Sequence, residues 1–338
     1  MTERFAKSIE TLELPRVLEM LAAEAATQEG KEKALALLLE TDLQSVERLQ
    51  QETAATFTML TLHGTPALSG VRPVRASLRR ADRGGSLNPR ELLDVAGVLR
   101  CARNVKDYGD AAKDNIIAHL FRSLGVNKYL EEKITASIPA EDEIADAASP
   151  ELADIRRHKR AAAGKVREVL NRLISSNQSK YLQEAIITQR GGRYVVPVKS
   201  EHKNDIPGLV HDVSGSGGTF FIEPMGVVKA NNELRELEAK EEKEIERILA
   251  ALSAECASFQ EDIIMDYDLL VLLDGIFARA KLAARMNAMP PKLTERTVEL
   301  KKARHPLLDP KKAVANDLSL GASSTPWSSP APTPAARR

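Results

Sequence analysis

Cysteine is nearly absent: Cys101 and Cys256 are the two in 338 residues, with no Cys-x-x-Cys spacing and no histidine partner nearby. That argues against a disulfide framework or a zinc site and fits a reducing, cytoplasmic compartment. Aromatic residues make up only 4%, with a single tryptophan, too few for the cores of typical sandwiches or barrels. No apolar run approaches the ~20 residues that span a bilayer, and the polar start Met1–Glu10 has no signal-peptide core. No membrane association is expected. A net charge of zero argues against a uniformly basic nucleic-acid coat. What is abundant is Ala, Leu, Glu, Lys and Arg, the composition of long packed helices. The expected fold is mainly α.

Helix punctuation is clear in residues 1–148, expected to be an N-terminal helical core domain. Thr41-Asp42-Leu43-Gln44 has the spacing of a capping box, and Asn88-Pro89-Arg90-Glu91 places a cap, a first-turn proline and an N3 acid in order. Leu14, Val17, Leu18 and Leu21 recur at helical spacing, as do Leu92, Val95, Ala96 and Leu99, while Gly64–Pro73 and Arg83–Pro89 have the composition of loops.

A new helix opens at Ser149-Pro150-Glu151, and Leu152, Ile155, Lys159, Ala162, Val166, Val169 and Leu173 form a heptad seam. A second seam runs through Leu234, Leu237, Glu241, Ile245, Ile248, Leu252, Cys256, Phe259 and Ile263. The charges around them are segregated. Glu151–Lys203 holds twelve Lys and Arg against five acids, and Glu223–Asp262 eleven acids against five bases. Because the intervening segment must leave and return, the economical arrangement is an antiparallel coiled coil with complementary flanking charges. Residues 149–182 form its ascending helix, extending about 50 Å at ~1.5 Å per residue. Residues 226–290 supply the descending helix and further core helices.

Residues 183–225 change character. Ala185–Thr188, Arg193–Val198, Leu209–Val213 and Thr219–Ile222 are β-rich runs separated by Arg190-Gly191-Gly192 and Ser214–Gly218. They predict a small antiparallel β unit at the end of an arm. Its cations Lys180, Arg190, Arg193, Lys199 and Lys203, with His211, suit contacts to the phosphates of a long polyanion, giving salt-dependent and weakly sequence-specific binding. The competing reading is that they are solvated charges at a sheet rim. Ser214–Thr219 resembles a phosphate-cradling loop but lacks the lysine and leads into a strand, so a hairpin turn is the better reading. His211, Asp212 and Ser214 are near neighbours on one strand and cannot form a nucleophile-to-base relay among themselves. The histidines His63, His119, His158, His202 and His305 show no metal-ligand spacing. No catalytic or metal site is expected, and no aromatic cluster for base stacking stands out.

Val210-His211-Asp212-Val213-Ser214-Gly215-Ser216-Gly217-Gly218-Thr219-Phe220-Phe221-Ile222-Glu223-Pro224, followed by Asn231-Asn232-Glu233-Leu234-Arg235-Glu236-Leu237, resembles the clamp-to-lever junction of the second bacterial type of the MutS family. Ala303-Arg304-His305-Pro306-Leu307-Leu308 is similar to the motif at that family's ATPase entrance, and Leu12–Pro15 and Gly70–Pro73 also look familial. The resemblance covers about Leu12 to Gly321. It implies a helical core plus long antiparallel coiled-coil lever arms capped by a small antiparallel β clamp domain. It also implies that residues 291–321 are the start of an ATPase domain, with Arg304, His305 and Pro306 at its entrance. The implied partners are DNA and/or ribosomal RNA of the ribosome, in a homodimer when full length. The full-length family uses ATP and Mg, and some members are endonucleases; no cofactor is expected within this chain itself. No Phe-x-Glu mismatch wedge precedes the core, so mismatch repair proper is not expected.

The pattern departs from the family after Asn316–Gly321. Residues 322–338 have the composition of a disordered Pro, Ala and Ser tail. Encoded with permitted codons and read one base earlier in phase, Pro326–Arg338 spells Leu-Val-Val-Thr-Gly-Pro-Asn-Thr-Gly-Gly-Lys-Thr, the phosphate loop due at this point. A single-nucleotide frameshift is the expectation. Two function classes remain: the nucleic-acid-binding clamp and lever portion of a MutS-type ATPase without its own ATPase and nuclease domains, and a coiled-coil structural or protein-interaction module whose charge segregation serves only arm pairing.

Overall fold

The reciprocal cap foreseen at Asn88 forms. Asn88 Oδ1 accepts from the Glu91 amide at 2.9 Å, and the Glu91 carboxylate accepts from the Asn88 amide at 3.0 Å, starting helix Pro89–Asp110. Ser149 caps Pro150–Ile174 through the Leu152 amide at 2.9 Å. At the earlier site the cap is Asp42 rather than Thr41, its carboxylate accepting from the Ser45 amide at 2.9 Å. The computed structural model describes residues 9–110, 115–294, 297–309 and 312–321, so the frameshift expectation for 322–338 lies outside the described residues. The molecule is mainly helical with a small antiparallel sheet, and none of the described helices is long and apolar enough to cross a membrane.

The chain divides into two compact units. One contains helices Leu14–Glu24, Gln28–Leu35, Leu43–His63, Ala118–Arg122 and Gln260–Met286, with the later part of Pro89–Asp110. Tyr108, Phe121 and Phe277 meet there edge-on or tilted, with ring centroids 5.9–6.5 Å apart. The fully buried Asp274 carboxylate accepts from the Ala26 amide (2.9 Å), the Thr27 amide (2.8 Å) and the Thr27 hydroxyl (2.7 Å), which ties the start of Gln28–Leu35 to the long helix. Asp266 accepts from the Gly125 amide at 2.6 Å, and burial pushes its carboxyl up to about 6. Burial likewise pushes Cys101 to about 12.

The second unit contains Arg75–Asp82, the start of Pro89–Asp110, most of Lys128–Ser137, a basic helix Pro150–Ile174, the sheet, and an acidic helix Met225–Ser258. Leu92, Val95 and Ala96 are buried in it, as their spacing predicts. The basic and acidic helices run antiparallel. Glu244 meets Ser149, Glu241 meets Arg156 and Lys159, and Gly226 lies beside Val169, so one number falls as the other rises. Lys159 and Glu241, the polar members of the two seams, pair with each other at 2.8 Å. Burial works to raise the Glu241 carboxyl, but Lys159 and Arg156 hold it below the usual carboxylate range.

Two expectations need correction. The ascending helix stops at Ile174 rather than Leu182, so its 25 residues span about 38 Å at ~1.5 Å each. Serines end it: the Ser176 hydroxyl turns to cap the following 3-10 segment Asn177–Tyr181, the competition with helix that serine offers locally. The second seam does not run unbroken to Ile263, because the acidic helix ends at Ser258 and a separate helix begins at Gln260.

Candidate nucleic-acid interface

Four strands build the sheet: β1 Thr188–Arg190, β2 Arg193–Lys199, β3 Gly208–Val213 and β4 Thr219–Pro224, in the antiparallel order β1-β2-β4-β3. Of the run Ala185–Thr188 only Thr188 is in a strand. Gly191 and Gly192, with φ of 55° and 73°, make the two-residue turn that β1 and β2 need. Ser214–Gly218 is the expected hairpin turn, with Gly217 at φ 70° and the Ser214 hydroxyl accepting from the Thr219 amide at 3.0 Å. Alternation along β2 and β4 sends Val196, Val198, Phe220 and Ile222 to one face. These pack with Ala162, Val166, Leu170, Val227 and Leu234 of the two helices. Val196, Val198 and Ile222 are fully buried, each contributing roughly 1.5–3 kcal/mol, whereas Phe220 is half-buried.

The other face carries charge. Arg193 donates twice to Glu223, at 2.9 and 3.0 Å, and once to Asn232 Oδ1 at 2.7 Å. A β-bulge between Val210 and Asp212 re-aims His211, whose Nε2 lies 2.5 Å from Glu223 Oε2. Asn231, itself 1% exposed, donates to Glu223 at 2.8 Å and to the Tyr194 carbonyl at 3.1 Å, and accepts from the Tyr194 amide at 3.3 Å. Glu223 is fully buried. Two residues picked as phosphate ligands, Arg193 and His211, are thus turned inward to satisfy a carboxylate that must not be left alone in a dry site. Nothing local in the sequence marks Glu223 and Asn231 as partners of Arg193; the signal available is a lone acid closing the apolar run Thr219–Ile222.

Arg190 lies over the Phe221 ring, 4.2 Å from its centroid, and pairs with Asp212 at 3.2 Å. The remaining three predicted cations gather at the opposite end of β2 from Arg193, about 20 Å away at ~3.3 Å per residue. Lys199 donates to the Lys180 carbonyl at 3.2 Å, Lys180 sits over Tyr181 at 5.0 Å, and Lys203 over Phe220 at 5.5 Å. Tyr181 and His202 stack with centroids 4.8 Å apart, tilted by 44°. The fold thus brings together two rings, Tyr181 and His202, that lie about twenty positions apart along the chain. His202 is oriented by Asp205 at 2.8 Å, with Glu201 at 3.7 Å. Lys180, Lys199 and Lys203 have no carboxylate partner among the described residues.

Much of the basic charge on the ascending helix is already used. Arg156 binds Glu241 and Asp146, Lys159 binds Glu241, and Arg157 and Arg172 pair with Asp154 and Glu168 along their own helix. The predicted ATPase-entrance residues belong to the other unit. There β5 Val298–Ala303 pairs antiparallel with β6 Asn316–Leu320, and Arg304, His305 and Pro306 follow β5, with the His305 carbonyl accepting from the Leu308 amide at 3.1 Å.

No protein-family model matches the chain. Among characterised proteins it is similar to Endonuclease MutS2 of Acetivibrio thermocellus, 45% identical over 322 residues. It is also similar to the proteins of that name from Ruminiclostridium cellulolyticum (44% over 321 residues) and Clostridioides difficile (40% over 322). Each match covers 93% of this chain but only 40–41% of the relative, so the chain spans about two fifths of the length of these relatives. With that identity across nearly all of its own residues, the chain belongs to the second bacterial type of the MutS family.

Proposed function

We propose that the second unit is a nucleic-acid clamp on a pair of coiled-coil lever arms, the gripping portion of a MutS2-type protein. The observation that carries this reading is the cationic end of the sheet, where Lys180, Lys199 and Lys203 are unmatched by carboxylates among the described residues while the arm charges are largely paired. Lysines in that state act on phosphates, of DNA or of ribosomal RNA alike. In the longer proteins of the family the arms would transmit clamp movement to an ATPase using ATP and Mg, in a homodimer, and the nuclease activity named for the relatives would belong to that longer assembly.

The arm pairing also favours a second reading. Arg156 and Lys159 converge on Glu241, which is what a coiled-coil protein-interaction module would show if its charge segregation served assembly alone. Fluorescence anisotropy with a labelled 30-base-pair DNA duplex and an RNA hairpin, each titrated from 50 to 200 mM salt, separates the two. A clamp weakens with a log–log slope of about −0.9 per phosphate contacted. No binding, or binding indifferent to salt, rejects the clamp in favour of the interaction module.

A further inference from the structure

Lysines alone would grip any polyanion, but the three here are set on aromatic rings. The 3-10 segment after the basic helix brings Lys180 and Tyr181, the end of β2 brings Lys199, the short helix Ser200–His202 brings His202 with Lys203 following, and the start of β4 brings Phe220. The two neighbouring carboxylates, Asp205 and Glu201, are both directed at His202, and Asp205 holds its ring in place. His202 keeps a third of its side-chain surface in solvent while resting on Tyr181. Cations that track a backbone beside an exposed ring that accepts a base are the two parts of a single-strand binding surface. A duplex, whose bases are stacked within the helix, engages only the first part.

Building on the clamp reading, we propose that this end of the sheet binds an unpaired nucleotide, its flanking phosphates on Lys180, Lys199 and Lys203 and its base stacked on His202 over Tyr181. Phe220 supports Lys203 from beneath. The opposite end of β2, where Arg193 and His211 serve Glu223, takes no part.

The test uses the whole chain with fluorescein-labelled 20-nucleotide oligo(dT) and oligo(U) strands and a 20-base-pair duplex. Replacing the lysines together (Lys180→Gln, Lys199→Gln, Lys203→Gln) is expected to weaken all three probes at least tenfold. It should also flatten the salt dependence by about 0.7 per lost contact for single strands and 0.9 for the duplex. Neutralising three exposed lysines elsewhere in the same unit (Lys165→Gln, Lys240→Gln, Lys243→Gln) corrects for net charge and should leave the slope in place. His202→Ala is expected to weaken the single strands fivefold or more and the duplex less than twofold, with circular dichroism reporting an intact fold. Equal loss on oligo(dT) and oligo(U) identifies the base and phosphate as the recognised groups; a selective loss on oligo(U) identifies the RNA strand as the ligand. Wild-type affinity and slope in the lysine variant, or equal losses of duplex and single strand in His202→Ala, overturn the proposal while the clamp stands. Failure of the unmodified chain to bind any probe removes the clamp reading itself.

Discussion

Replacing Glu223 with alanine removes the acceptor for four hydrogen bonds at once, two from Arg193, one from His211 and one from Asn231. The losses are unequal. Asn231 keeps both its bonds to the Tyr194 backbone, and His211, a quarter exposed, turns to water. Arg193 has neither escape, since its side chain is only 16% exposed and its one remaining partner is the Asn232 amide oxygen. Stranding a buried cation in this way costs about 3–5 kcal/mol, and with partial access for water the lower end applies. Each 1.4 kcal/mol is a factor of ten in a local opening equilibrium, so about 3 kcal/mol lowers hydrogen-exchange protection roughly 100-fold. Exchange followed by mass spectrometry on peptides covering β2 and β4 is the assay, and the loss should concentrate there rather than in Leu43–His63 of the other unit. Replacing both partners with methionine should recover most of the protection, because an apolar pair leaves no charge unsatisfied. Protection within threefold of the unmodified protein in Glu223→Ala, or a double variant no better than the single one, refutes the argument.

Gly208→Ala should loosen the β3–β4 hairpin severely, because a Cβ there would stand 2.2 Å from the Glu223 carbonyl, whereas Gly215→Ala in the open turn should be neutral; exchange protection of β3 compares them. Asp266 has a carboxyl raised by burial from 3.8 to about 6, so the folded form holds the proton more tightly. Its stabilising contribution is then full below about pH 4 and is lost as pH rises through about 6, a difference of up to about 3 kcal/mol. Asp266→Asn, still able to accept from Gly125, should flatten that part of the stability–pH profile in urea unfolding; an unchanged profile contradicts it. With Cys101 and Cys256 both pushed up to about 12 by burial, neither thiol should react with a disulfide reagent at pH 8 until the protein is unfolded. Labelling of either thiol in the native protein at the rate of a free cysteine shows the burial to be wrong.

Local chemistry is what the chain made legible. Asn88 and Ser149 are read as caps because their partners lie three residues away, and the pairing of the two seams follows from a periodicity that needs no knowledge of the rest. Long-range satisfaction of charge was hidden. Arg193 is thirty positions from Glu223, and His211 reaches it only through a bulge that no local pattern announces. An exposed cation and one spent on a buried carboxylate look the same along a sequence, which is why six candidate ligands resolved into three groups with different work. The meeting of Tyr181 with His202 was invisible for a related reason: they lie in separate polar segments, on either side of β1 and β2, and become neighbours only once Leu182 pairs with Val198.

Asn231 and Asn232 are successive residues on one helix and grip successive residues, Tyr194 and Arg193, on one strand. A helix turns by about 100° and advances ~1.5 Å per residue, so adding or removing a single residue between Pro224 and Asn231 would swing both amides away from their partners together. The two contacts together therefore fix the length of this segment. Insertions and deletions should be tolerated in the Ser214–Gly218 turn and not in the first two turns of the acidic helix, and variation in chain length within the family should respect that boundary even where the amino acids around it drift.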